Sequence, residues 1–273
     1  MGKAKDIILR PIDSKTANEL VRRVHYSGKV VNNSQLHIGV FYGGKLEGAL
    51  QFGPSLDKRK IQGLVSGTAW HEFIELNRMA FTDVLPRNSE SRAIAVAMRL
   101  LRKHAPQVKW VITFADGTQC GDGTIYRAAG FVLTGIKKND QIWAAPDAGA
   151  RFSRTSLTDN RSKSQQSAAR LLSRVTATKE NNIMETGAAS MRPFIEAGFK
   201  PLQGFQLRYI YFIDPAYRQR LTVPELPYSA IADAGARMYK GERLDTRPVN
   251  GDDLATSEAG RFDSEPGAQG LDR

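Results

Sequence analysis

The residues of this chain best suited to moving protons stand where elements should end. Asp116 follows the apolar run Val111-Ile112-Thr113-Phe114-Ala115 and precedes Gly117, so it should close a buried strand. Ten residues on, Tyr126 opens Tyr126-Arg127-Ala128-Ala129-Gly130-Phe131, the end of a short helix with Gly130 placed for a left-handed cap and Phe131 starting the next strand. His25-Tyr26-Ser27-Gly28 ends an earlier helix. A carboxylate, an imidazole that titrates near neutrality and two phenols can take up, relay and return protons. Each also has a plain structural alternative. Asp116 can be a turn former before glycine, His25 a helix-end cap, and Tyr26 and Tyr126 packing aromatics.

Other polar residues are less decisive. Arg78, in Glu75-Leu76-Asn77-Arg78, should share a strand face with Leu76 and Ala80, with Glu75 and Asn77 opposite, and could meet a phosphate or a carboxylate. Ser89 or Ser91 could cap the helix that follows, and Arg87 or Arg92 could meet an anion at its N-terminus. No His/Asp relay near Ser91 makes it a nucleophile. Cys120 is the only cysteine, which excludes an internal disulfide and a four-thiolate zinc site. His37, His71 and His104 show no two-histidine spacing on one helical face.

These residues need a scaffold. Ile7 to Ile12 reads as a strand, and a helix capped by Ser14 follows, with Ala17, Leu20, Val21 and Val24 at helical spacing. Leu36 to Tyr42 and Leu46 to Phe52 form a hairpin across Gly43-Gly44-Lys45. A strand over Glu72–Phe81, a helix from Ser91 to about His104, a strand over Val108–Ala115, the Tyr126 helix and a strand pair from Phe131 to Ala144, turning near Asn139-Asp140, come next. Residues 145–190 form a basic insertion with one helix over Gln165–Arg174, and Leu207 to Ile213 completes the sheet. The expected domains are therefore a catalytic domain over 1–218, an extension over 219–248 and a disordered acidic tail over 249–273. The β-α-β-β-β-α-β-α-β order implies a mixed, mostly antiparallel α/β sheet flanked by helices.

The tail holds six acids and two arginines from residue 250, net −4, so the remainder carries +15 of a chain whose total is +11. Such an excess favours a polyanionic partner, most simply nucleic acid. No apolar run approaches the ~20 residues needed to span a bilayer, and no secretion signal opens the chain. A soluble protein without a membrane partner is expected.

The Tyr126-to-Phe131 stretch resembles the closing motif of the GCN5-related acyltransferases, the GNATs, and the element order is theirs. In that superfamily a tyrosine ahead of Gly-Phe protonates the donor's leaving group, which is the role implied for Tyr126. Acyl-coenzyme A enzymes of this kind carry a glycine-containing loop before the third helix. Pro86-Arg87-Asn88-Ser89-Glu90-Ser91-Arg92 has no glycine, which makes acyl-CoA the less favoured donor.

A narrower resemblance joins His25-Tyr26-Ser27, Glu75 to Arg78, Ser91-Arg92, Asp116, Tyr126 and the strand Arg208 to Asp214, over roughly residues 7 to 218. Together they are similar to the phage Mom DNA-modification proteins. That resemblance implies conversion of adenine in phage DNA to N6-carbamoylmethyladenine, protection from host restriction, the bacterial host's cytoplasm as location, and iron dependence. It makes His25, Tyr26, Asp116 and Tyr126 the catalytic candidates and Ser27, Tyr42, Arg78, Ser91 and Arg92 the substrate- or donor-binding ones, with Asp116 and Tyr42 as candidate iron ligands. His25 or Asp116 would accept the N6 proton, and Tyr26 would stack on the extruded base. The carbamoylmethyl group has the atoms of glycine amide, so an activated glycine, with glycyl-tRNA favoured, is the expected donor and tRNA a possible second partner. Two other function classes compete: a conventional GNAT that acylates a small-molecule or protein amine, and a noncatalytic nucleic-acid-binding protein with a GNAT shell.

Overall fold

A computed structural model describes residues 3–146, 150–158, 190–239 and 242–244. The helix expected over 165–174, most of the basic insertion and the acidic tail lie outside these residues. No helix among the described residues is long and apolar enough to cross a membrane.

Apolar alternation and helical spacing yield most of the expected elements. β1 (Ile8–Pro11) leads into α1 (Ser14–Val24), which buries Ala17, Leu20 and Val21. The cap of α1 is Asp13, not Ser14. Its Oδ1 accepts the Thr16 N–H at 2.9 Å, and its charge suits the positive end of the helix dipole. β2 (Leu36–Tyr42) and β3 (Lys45–Gly53) form the hairpin, with Gly43 and Gly44 at φ +55° and +79° supplying the left-handed pair of a two-residue turn.

α2 (Lys58–Gln62), β4 (Phe73–Phe81), α3 (Ser89–His104), β5 (Trp110–Asp116) and α4 (Thr124–Ala128) follow. β6 (Val132–Asn139) and β7 (Ile142–Ala144) come next, then β8 (Arg151–Ser153), α5 (Arg154–Leu157), a short helix at Arg192–Glu196, β9 (Lys200–Pro201) and β10 (Gly204–Phe212). A 3-10 turn at Pro215–Arg220, a helix at Ser229–Asp233 and a small hairpin of β11 (Met238–Tyr239) with β12 (Glu242–Arg243) end the described chain.

The chain divides into two compact units, residues 1–136 with 206–273 and residues 137–205. The first is built on a seven-stranded sheet in the order β1-β2-β3-β4-β5-β10-β6. Its pairs from β1 to β4 and between β5 and β10 are antiparallel, while β4 and β5 run parallel. The sheet is thus mixed, mostly antiparallel and flanked by helices, as expected from the element order. Trp110 is fully buried beside Phe73, ring centroids 4.6 Å apart, and its indole N–H donates to Thr68 Oγ1 at 3.2 Å.

The second unit holds a three-stranded sheet, β8-β7-β9, over a core of Trp143, Ala145, Leu157, Met191, Phe194 and Phe199. The expected pairing of β6 with β7 does not form. The Asn139 turn is present, with Asn139 Oδ1 accepting the Gln141 N–H at 3.1 Å, but both edges of β7 are taken by β8 and β9.

Candidate active site

The site begins where β4 and β5 part. Their parallel pairing lasts only three residues, Phe73 to Glu75 against Trp110 to Ile112. Beyond it Thr113 Oγ1 donates to the Leu76 carbonyl at 3.0 Å, satisfying a backbone acceptor that the departing strand leaves behind. On its other edge β4 carries an irregularity, since Gln51 faces Arg78 while Phe52 faces Leu76, and Asn77 is the extra residue. The split opens a cavity of about 560 Å³. The bulge corrects the expectation that Asn77 lies opposite Arg78, because both line the cavity.

Asp116 stands at the end of β5 on the cavity wall. Its Oδ1 accepts the Thr118 N–H at 3.0 Å and its Oδ2 accepts Gln119 Nε2 at 3.1 Å, the local bonds of a turn-forming aspartate. The same Oδ2 accepts the Tyr26 hydroxyl at 3.3 Å across ninety residues of sequence. Tyr26 arrives from the end of α1, where the Gly28 N–H bonds the His25 carbonyl at 2.8 Å and Gly28 takes φ +59° to turn the chain. Half of Tyr26 is exposed, and it lies against the His25 ring with centroids 4.2 Å apart. Burial of the hydroxyl, and then the Asp116 charge, raise the Tyr26 pKa.

His25 departs from the expected near-neutral titration. Burial, with the Arg78 cation nearby, lowers its pKa from 6.5 to about 4. Its Nδ1 accepts the Ser27 backbone N–H at 3.1 Å and lies 2.8 Å from the Ser27 hydroxyl. A backbone N–H can only donate, so Nδ1 is unprotonated and the proton of the neutral ring sits on Nε2. His25 is therefore a neutral, oriented donor at pH 7. Ser27 is absent from the cavity lining and acts on His25.

Tyr126 projects from α4 and is buried, its ring 5.7 Å from Phe131 and 5.6 Å from Tyr209. Burial raises its pKa, partly opposed by a hydrogen bond to Thr113. The helix closes as expected. The Phe131 N–H reaches the Tyr126 carbonyl and the Gly130 N–H the Arg127 carbonyl, each at 3.0 Å, with Gly130 at φ +86°. Cys120 shares the cavity, but burial and the Asp116 charge push its thiol up to about 12, far from a reactive thiolate.

Arg78 donates Nε to the Lys29 carbonyl at 3.1 Å and Nη1 to the Asn77 carbonyl at 2.8 Å, which fixes its guanidinium on the wall. Arg127 lines the cavity as well, tied to Asp122 at 3.0 Å. Arg237, Met238, Tyr239 and Leu244 supply a further wall, held to the Cys120 loop by the bridge between Gly121 and Tyr239.

Tyr42, Ser91 and Arg92 are not brought to this cavity. Tyr42 pairs with Lys45 at the hairpin turn, the Ser91 hydroxyl donates to the Asn88 carbonyl at 3.3 Å, and Arg92 is exposed. Neither Ser89 nor Ser91 caps α3. Asn88 occupies the cap position at φ +70° without a side-chain bond, and Glu90 reaches the cavity from the first turn, its carboxylate raised in pKa by burial while accepting its own backbone N–H.

The iron implied by resemblance does not fit these donors. Tyr42 lies away from Asp116, and no cluster of three or more His, Cys, Asp or Glu among the described residues could hold a metal ion. Asn77, Glu90, Gln119 and the wall of Arg237, Met238, Tyr239 and Leu244 were not among the candidates read from the sequence. Glu90 carried a legible signal as an acid in a first helical turn.

A model of the Mom protein family matches residues 6–230. The methylcarbamoylase Mom of Escherichia phage Mu is 41% identical over 133 residues, covering 48% of this chain and 55% of that protein. The match thus spans about half the length of the curated relative. Among solved structures, a Bacillus subtilis acetyltransferase in complex with CoA aligns at 10% identity and TM-score 0.38, covering 76% of this chain and 97% of its own. The spermidine/spermine N-acetyltransferase SpeG of Vibrio cholerae aligns at 8% identity and TM-score 0.39, with 79% and 98% covered. Likenesses this remote add nothing to what the strand order already shows. The family match runs from before β1 to the helix at Ser229–Asp233 and encloses the Tyr26, Asp116 and Tyr126 positions, and the chain belongs to the Mom protein family.

Proposed function

We propose that this protein is a transferase that converts adenine in DNA to N6-carbamoylmethyladenine, protecting phage DNA from host restriction, with glycyl-tRNA as donor. Membership of the Mom family and the name of the Mu relative support a DNA-modifying role. The observation that carries the chemistry is the bond between Tyr26 and Asp116 at the opening between β4 and β5, with Arg78 on the adjoining wall.

Adenine N6 is a weak nucleophile because its lone pair is delocalised into the ring, so attack on a carbonyl requires a positioned proton acceptor. The Tyr26 hydroxyl takes the N6 proton while passing its own to Asp116. This relay suits a phenol whose raised pKa disfavours a free phenolate. The half-exposed Tyr26 ring also offers a face on which an extruded base can stack. His25 positions Tyr26 through ring contact and carries no proton in the step, since its Nδ1 is engaged and its pKa is low.

N6 forms a bond to the glycyl carbonyl carbon, and the ester bond to the tRNA 3′ oxygen breaks. Tyr126 protonates that oxygen, a role matched to a buried phenol that holds its proton. The proton gained by Asp116 and the one lost by Tyr126 equalise through solvent. The glycyl α-amine then attacks C6 of the base and the original C6–N6 bond breaks, one proton passing from the amine to the departing nitrogen. The glycine nitrogen becomes the new exocyclic nitrogen, and the former N6 becomes the terminal carboxamide.

Glu90 argues against a coenzyme A pyrophosphate at the start of α3. Its side chain lines the cavity and accepts its own backbone N–H, which leaves that amide unavailable to the anion. Purified protein incubated with DNA and either glycyl-tRNA or glycyl- and acetyl-coenzyme A, followed by nucleoside mass spectrometry, tests donor and product together. Modified adenine is expected with glycyl-tRNA alone. Reaction with thioesters only would overturn the donor, and no modified adenine with any donor would overturn the activity.

A further inference from the structure

The loop between β3 and β4 presents an aliphatic side chain that the fold does not use. Leu56 is 96% exposed, and Trp70, across the same shallow depression, is 53% exposed. A leucine so fully in water contributes nothing to the core. Its surroundings are ordered by specific bonds. Pro54 offers its carbonyl to Asn33 Nδ2 at 2.7 Å, Asp57 caps α2 through the Lys60 N–H at 3.3 Å, and Gln62 Nε2 bonds the Thr68 carbonyl at 2.6 Å. Lys58 lies over Trp70, its ammonium 4.5 Å from the ring centroid.

Charge around Leu56 favours a polyanion. Arg59 and Lys60 are exposed on α2, three and four residues after Leu56. The nearby acids are committed to the fold. The Asp57 carboxylate serves as the cap, and Glu72 accepts the Ala69 N–H at 2.6 Å and the Tyr217 hydroxyl at 2.8 Å. His71 is exposed beside Trp70 and adds no negative charge.

The loop also starts close to the active cavity. It leaves β3 at Gly53, paired with Glu75 on the strand that carries Arg78 to the cavity. Three residues of loop from Gly53, three residues of β4 from Glu75 and one interstrand step place Leu56 within roughly 25 Å of Arg78, less than the ~34 Å of one duplex turn.

We propose that this loop is a duplex-DNA wedge: Leu56 enters a base step while Arg59 and Lys60 neutralise flanking phosphates, and the unstacking eases delivery of an adenine to the cavity. Apolar side chains inserted between base pairs unstack and kink the duplex, and a base must leave the stack before chemistry at its exocyclic amine. The proposal rests on DNA as the substrate, but its test needs neither donor nor product.

The full chain is titrated onto a 30-base-pair duplex carrying 2-aminopurine at adenine positions, onto the matching single strand, and onto tRNA. Fluorescence reads unstacking and anisotropy reads affinity. Wild type should raise duplex fluorescence severalfold; Leu56→Ala should lose most of that rise, Leu56→Ile should keep it, and single-strand and tRNA affinity should change less than twofold. Arg59→Ala with Lys60→Ala should flatten the slope of log K against log salt by about 2 on the duplex. Absence of a wild-type rise, an unchanged rise in Leu56→Ala, or equal losses on tRNA or single strand would each overturn the wedge. A protein that unstacks duplex through Leu56 yet leaves adenine unmodified would refute the catalytic proposal and leave the wedge standing.

Discussion

At the residue scale, groups that look alike in the sequence stand in different surroundings. Tyr26 and Tyr126 are both phenols of raised pKa, but one bonds Asp116 at the open face and the other is buried on Thr113. Tyr26→Phe should lower the rate of adenine modification about 100-fold with DNA affinity unchanged, since only the relay is removed. Tyr126→Phe should lower it 10- to 1,000-fold and cost about 1 kcal/mol of stability through the lost Thr113 bond, measured by denaturant titration. His25 makes a prediction of opposite character. Its folded pKa of about 4 lies below the ordinary 6.5, so the unfolded chain binds more protons between those values. The stability owed to a neutral His25 is complete above pH 6.5 and is lost as pH falls to 4, by roughly 2–3 kcal/mol. Chemical denaturation at pH 7.5 and 4.5 should therefore show a smaller acid loss in His25→Asn than in wild type. An equal loss in both would place the imidazole in water.

At the element scale, the cavity depends on backbone features rather than on strand content. Gly123 precedes α4 at φ +85°, and a Cβ there would lie 2.5 Å from Tyr209 Cε2. Gly123→Ala should cost about 2–4 kcal/mol and displace the loop that carries Cys120 and Asp122, read as a fall in melting temperature. The order of strands and helices was legible because it follows from period-2 and period-3.6 burial, from the Gly43-Gly44 turn and from the Gly130 cap. The Asn77 bulge was not, since an extra residue leaves no mark in local composition and is set by the neighbouring strand. Nor was the fate of β7, whose apolar residues suit any sheet edge and are claimed by β8 and β9. The β11-β12 hairpin has two residues per strand, too few for alternation to register, so the wall of Arg237, Met238, Tyr239 and Leu244 came only from tertiary placement. Asp116 and Tyr26 were legible as residues. Their bond across ninety positions was not.

At the scale of the whole molecule, the chain pairs a net charge of +11 with a cavity lined by Tyr26, Asp116 and Tyr126. The positive charge should draw DNA and tRNA alike, with binding that weakens steeply as salt rises. Under the proposed function, specificity then falls to the cavity and to the proposed glycine donor. Adenine labelled with nitrogen-15 at N6 should yield product with the label in the terminal carboxamide; label retained on the ring would mean direct alkylation of N6. The most direct test of the central claim is mass spectrometry of nucleosides from DNA co-expressed with wild type or with Asp116→Asn, at matched protein levels and matched DNA affinity. Wild type should give N6-carbamoylmethyladenine and Asp116→Asn at least 100-fold less. Unmodified adenine beside well-expressed wild type, or undiminished product with Asp116→Asn, would contradict it.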